Sequence, residues 1–176
     1  MDGWTLTYDG YAQAEEGLRE VLCALGNGFI VSRGALASAV AADGHYPGTY
    51  LAGGYDRAVT DIAGRAIENE DLVNLPNWLP LTFRIADGPW LRPGEVRHLE
   101  HTRALALRDG LLTTRLRVAD ARGRITRLEE VRLVSMHQPH LAALEVRLTP
   151  ENWSGTMTLR SALDGSVVNA GVERYR

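Results

Sequence analysis

Three groups of side chains in this sequence could do chemistry. The first is a pair of His-x-x-His spacings, His98 with His101 and His137 with His140. On a helix that spacing would let two rings share a metal. Both pairs lie in strand-like or turn-like sequence, where residues three apart face opposite sides. They read as surface or hydrogen-bonded histidines, and no metal site is assigned. The second group is the acids: Glu68, Glu70 and Asp71 together, and Glu129 and Glu130 in a strand-like run. Glycoside hydrolysis needs two carboxylates flanking the bond, roughly 5–10 Å apart. Sequence places no pair that way, and solvated surface carboxylates are the simpler reading. The third group is amides and aromatics. "DGHYPGTYLAGGYD" carries Tyr46, Tyr50 and Tyr55; "ENEDLVNLPNWLP", residues 68–80, carries Asn74, Asn77 and Trp78. Aromatic faces pack on the C–H surface of a sugar while amides bond its hydroxyls. An ordered loop uses the same types to satisfy backbone groups and plug gaps. Tyr50, Asn74, Asn77 and Trp78 are the candidate sugar or domain-interface contacts.

Other signals are weaker. Gly26-Asn27-Gly28 starts like a dinucleotide fingerprint, but Val31 holds the third glycine position and no βαβ alternation follows. A structural turn is the better reading. Ser32 sits in "VSRG", not in a strained nucleophile elbow. All 19 basic residues are arginine, which excludes chemistry that needs a lysine amine. A net charge of −3 offers no global field for nucleic acid or anionic lipid. Cys23 has no partner for an internal disulfide, and its apolar neighbours predict burial. No apolar run approaches the ~20 residues of a membrane span. The start "MDGWTLTYDG" has neither a basic region nor an apolar signal core, so a cytoplasmic location is expected.

The elements that would position these residues divide by halves. In "LLTTRLRV", Leu112, Thr114, Leu116 and Val118 alternate with Thr113, Arg115 and Arg117, the period of a half-buried strand. "LAALEVRLT" repeats the pattern with Ala142, Leu144, Val146 and Leu148 on one face. "ITRLEEVRLVS" alternates imperfectly, which a bulge or two-sided burial would explain. "TMTLRSAL" starts another strand with Met157 and Leu159 inward. Strand, turn and strand at this spacing predict an antiparallel sheet or sandwich. In the first half, Leu18, Val21, Leu22 and Leu25 stand at helical spacing, with Gly17 shortening the expectation to a short helix or turn. Residues 41–80 show little periodicity, and so long an irregular stretch is usually functional or interface-forming.

Four stretches agree in order and spacing with a known family. "LGNGFIVSRGA", "PGTYLAGGYD", "LVNLPNWLPLTFRI" and "SALDGSVVN" resemble the N-terminal domain of glycoside hydrolase family 65, over about Trp4 to Asn169. That family includes maltose, trehalose and kojibiose phosphorylases and acid trehalases. The resemblance implies a mainly β, antiparallel β-sandwich (a super-sandwich) across residues 1–176, with a short helix or turns near the N-terminus. The family's domain runs longer, so the sandwich is expected to be incomplete at its C-terminal end. It implies a following (α/α)6 barrel that holds the catalytic glutamate and inverts the anomeric centre. No catalytic residue is therefore assigned in this chain, and no cofactor. Inorganic phosphate would be co-substrate if the full enzyme is a phosphorylase. The implied partners are the barrel, a disaccharide substrate and a second copy in a homodimer. A freestanding carbohydrate-binding sandwich and a pure scaffold or dimerisation module are the alternative readings.

Overall fold

The computed structural model describes residues 3–42 and 44–169. In chain order the elements are β1 (Thr5–Asp9), α1 (Gln13–Leu22), β2 (Leu25–Gly26), β3 (Ile30–Ser32), β4 (Thr49–Leu51), β5 (Tyr55–Ile62), β6 (Arg65–Leu72), β7 (Leu81–Ile85), β8 (Arg97–Ala106), β9 (Leu111–Ala119), β10 (Ile125–Val134), β11 (Ala142–Pro150) and β12 (Met157–Ser161). The alternation in the second half builds the main sheet. Five antiparallel strands run in the order β1-β8-β9-β10-β11. Leu112, Thr114, Leu116 and Val118 of β9 all point to its buried face. Ala142, Leu144, Val146 and Leu148 of β11 share that side and are half-buried, while their neighbours are exposed.

β10 is neither bulged nor buried on both sides. Its register with β9 and β11 is unbroken. The alternation looked imperfect because two of its inward positions hold Glu130 and Arg132. Both are fully buried and clamp the segment that lies over them. Glu130 accepts from the Ala37 amide at 3.3 Å through both oxygens, and Arg132 donates to the Arg33 and Ala35 carbonyls at 3.0 and 2.6 Å. Burial pushes the Glu130 carboxyl up and pulls the Arg132 guanidinium down to about 10.

The second layer packs on this face. β7 and β12 form an antiparallel pair, and β2-β3-β4 form a small sheet. One core cluster joins Phe83 and Ile85 of β7 and Leu36 and Ala39 to Leu116, Val118 and Leu128. The other joins Cys23 and Leu25 to Leu105, Leu112 and Val134. The expected antiparallel, mainly β architecture is present, and Cys23 is buried as its neighbours predicted. The outer face of the main sheet is a lattice of ion pairs, Arg115 and Arg147 on Glu129 and Arg117 and Arg127 on Glu151. Solvent accommodates such a face without a partner. Among the described residues β12 pairs only with β7, and Leu159, opposite Phe83, is 58% exposed rather than packed inward.

Two findings change the reading of the first half. Residues 41–80 are not irregular throughout. β5 and β6 form a register-perfect hairpin, so "ENEDL" is strand and only "VNLPNWLP" is loop. The helix at Gln13–Leu22 exists, but its apolar stripe faces outward: Leu18 is 63% exposed and Val21 and Leu22 each 47%. The buried side chains are Glu16 and Glu20. Among the described residues no helix is long and apolar enough to cross a membrane.

Candidate functional site

The turn at Gly26-Asn27-Gly28 joins β2 to β3. Asn27 holds it by accepting from the Phe29 and Ile30 amides at 2.9 Å, and its own amide donates to the Ser135 and Pro139 carbonyls. Of the four candidate contacts, the two asparagines are also bound to backbone. Asn74 is buried, accepts from the Thr49 amide at 3.0 Å and donates to the Pro47 and Val168 carbonyls. Asn77 is 1% exposed; its side chain accepts from the Leu79 amide, and its backbone forms a bridge with Asp164. Trp78, beside it, is half-buried, and its indole N–H is enclosed without an acceptor among the described residues. Tyr50 is half-buried on β4; burial, then a hydrogen bond with Tyr46, pushes its phenol up to about 12. Asn74, Asn77 and Trp78 share one loop, while Tyr50 sits on the strand that Asn74 buttresses through Thr49.

The densest polar cluster lies elsewhere, under α1. Glu16 accepts from Arg103 of β8 at 2.7 Å, both fully buried. Glu20 accepts from His45 Nδ1 at 2.7 Å and from the Tyr46 amide at 2.8 Å. With Nδ1 turned to the carboxylate, His45 presents Nε2 to the Tyr11 hydroxyl, 3.1 Å away. Tyr11 stacks on His98 with ring centroids 4.2 Å apart, and His98 lies 5.5 Å from His101.

His98 and His101 thus share a face, contrary to the rule for residues three apart. The physical reason is a bulge in β8: His98 pairs with Val118 and Glu100 with Arg117, leaving Leu99 extra. One inserted residue turns a spacing of three into an effective two. The second pair behaves differently, with His140 edge-on to Phe29 and His137 exposed.

Glu16, Glu20 and His45 each bring a ligand atom within 4.8 Å of the others. A metal does not fit them. Arg103 binds Glu16, and Arg19 stands 3.8 Å from its other oxygen. Both oxygens of Glu20 already accept from protein donors. His101 is held down to about 3, first by burial and then by the positive charge of Arg103. The cluster is a neutralised network that ties α1 to β8, and it is what turns the helix inside out.

A cavity of about 280 Å³ opens between β7, β12 and residues 37–40. Its polar lining includes Trp90, Arg92, Arg160 and Asp164, and the buried Ser38 hydroxyl there has no partner among the described residues. Arg160 lies over the Trp90 ring at 4.4 Å.

Layered antiparallel sheets, with buried carboxylates bound to arginine, histidine and backbone, define a mainly β domain. The family profile for the glycosyl hydrolase family 65 N-terminal domain matches residues 6–176. The chain therefore belongs to that family. It is 48% identical over 175 residues to an uncharacterized glycosyl hydrolase of Mycobacterium tuberculosis, covering 99% of this chain and 13% of that protein. It is 33% identical to a trehalose 6-phosphate phosphorylase of Lactococcus lactis and 29% identical to a kojibiose phosphorylase of Caldanaerobacter subterraneus, covering 98% of this chain both times and 22% and 21% of theirs. A solved human-microbiome structure assigned as a kojibiose phosphorylase superposes with a TM-score of 0.74 over 82% of this chain and 19% of that one, at 19% identity. The chain thus spans between an eighth and a quarter of the length of these curated relatives.

Proposed function

We propose that this chain is the non-catalytic leading domain of an inverting enzyme acting on α-glucosidic disaccharides, a phosphorylase or a hydrolase. It supports a catalytic (α/α)6 barrel and contributes to homodimerisation, in the cytoplasm. One observation carries the reading: phosphorylases align with 98% of this chain but only 21–22% of their own length, so most of each enzyme lies beyond the aligned region. The enclosed carboxylates fit it too. Glu16 and Glu20 are bound to arginine, histidine and backbone, which leaves neither poised as an acid facing a substrate. The test is a product assay on the 176-residue chain with kojibiose, trehalose and maltose, with and without inorganic phosphate. No release of glucose or glucose 1-phosphate is expected; turnover of any of the three overturns the proposal.

A second reading, sugar binding by the domain itself, draws on the cavity beside Trp90. An indole, two arginines, an aspartate and an enclosed hydroxyl are side chains that could hold a small polyol. Under this reading maltose or kojibiose quenches tryptophan fluorescence saturably, and Trp90→Ala abolishes the change. An unchanged spectrum in the millimolar range removes it.

A further inference from the structure

The β5–β6 hairpin stands apart from the layers. Among the described residues neither strand pairs with any other sheet. An isolated two-stranded ribbon is marginal in water, yet this one shows Tyr55, Val59, Ile62, Ile67 and Leu72 to solvent. Exposed strand edges are usually blunted by proline, a bulge or repelling charge. β5 has no proline, and its register with β6 is continuous from Tyr55 to Ile62.

The turn determines which backbone groups are free. Ala63 and Gly64 both have positive φ, 54° and 78°, as a two-residue type I′ turn requires. Such a turn makes Ile62 and Arg65 a hydrogen-bonded pair, so Thr60 and Ala58 also direct their amides at β6. Asp61, Val59 and Arg57 direct theirs at the open edge of β5. Glu68 and Glu70 do the same at the open edge of β6.

The two edges differ in charge pattern. A second β6 laid against the first brings carboxylates together. β5 reads Arg57, Val59, Asp61, which is self-complementary. About a twofold axis through Val59, Arg57 of each copy lies opposite Asp61 of the other, and Val59 lies opposite itself. The backbone groups of those three residues face the open edge, where the Arg57 amide donates to the exposed Asp56 carboxylate at 2.8 Å and would exchange that bond for a carbonyl of the second copy, so charge register and hydrogen-bond register coincide. Moving the axis to Arg57 or to Asp61 sets like charges face to face. We propose that the open edge of β5 pairs with β5 of a second copy of this chain about an axis at Val59, giving a four-stranded antiparallel sheet β6-β5-β5-β6. This rests on the proposed homodimerisation and adds its surface and register.

Sedimentation equilibrium of the chain tests it by charge swap. Arg57→Asp and Asp61→Arg each create two like-charge contacts and weaken the dimer on the order of tenfold or more. The double variant restores opposite charges and returns the dissociation constant toward the parent value. Arg57 also pairs with Glu68 and Glu70, and Asp61 accepts from the Gly64 amide. The double variant loses these bonds as well, so its recovery reports pairing between copies. A cross-link checks the register independently of charge. A hydrogen-bonded pair on the axis sets its Cα atoms ~5.5 Å apart, within disulfide reach. Val59→Cys then yields a covalent dimer under mild oxidation and Thr60→Cys does not; Cys23, being buried, does not compete. Equal cross-linking at both positions overturns the register. A dimer unaffected by every variant overturns the edge and leaves dimerisation standing. A chain that stays monomeric overturns both.

Discussion

At the scale of single residues, the cluster under α1 makes two predictions. His101 is neutral in the fold, with burial first and Arg103 second holding it down to about 3 against an ordinary 6.5. The unfolded chain therefore binds a proton that the folded chain refuses between those values. Stability is complete above pH 6.5 and falls as pH drops toward 3, on the order of 2 kcal/mol between pH 7 and 5. Urea denaturation across that range should show the slope, and His101→Gln should flatten it. The second prediction concerns Arg103. Arg103→Met takes from the buried Glu16 its 2.7 Å partner and leaves only Arg19, 3.8 Å from its other oxygen, at a cost of about 3 kcal/mol. Adding Glu16→Leu should recover most of that loss, because two matched apolar groups remove the stranded charge. Independent, additive losses would mean that the two side chains do not act as a pair.

At the scale of elements, α1 shows where the pattern of a sequence stops being informative. Leu18, Val21 and Leu22 lie at helical spacing, and that spacing does make a helix. Which face goes inward is decided by Arg103, 87 positions from Glu16, and by His45, 25 from Glu20. Periodicity reads local residues and is blind to such partners. Leu18→Ser should thus change stability by less than about 0.5 kcal/mol, the value for an exposed site. A buried leucine at the same position would lose 2 kcal/mol or more, which thermal melts resolve easily. β9 and β11 were legible because their inward residues are apolar or threonine. β10 was half-hidden because Glu130 and Arg132 face inward. The bulge at Leu99 left no trace in the sequence, so the meeting of His98 with His101 could be found only in three dimensions. The β5–β6 hairpin lacked alternation for another reason: among the described residues neither of its faces has a core to turn toward.

At the scale of the whole molecule, the open question is what the loop "VNLPNWLP" meets. Asn74 and Asn77 hold the loop to Pro47, Thr49 and Asp164, so it is a rigid platform. Trp78 rides on that platform with one polar atom, an enclosed indole N–H, that no group among the described residues accepts. An unsatisfied buried donor costs about 1–3 kcal/mol unless a partner supplies the acceptor. Trp78→Phe separates the cases because it keeps an aromatic ring and removes the N–H. In the 176-residue chain the change should be neutral or stabilising by up to about 1 kcal/mol. In a full-length enzyme that carries this domain, the same change should lower the melting temperature if the proposed barrel accepts that hydrogen bond. Trp78→Ala then distinguishes packing from substrate contact: lost stability with an unchanged KM places the ring in the domain junction, and a raised KM at unchanged stability places it beside the substrate. A full-length enzyme indifferent to both substitutions would leave the loop without any role at the barrel, and the platform would be a closure of the sandwich alone.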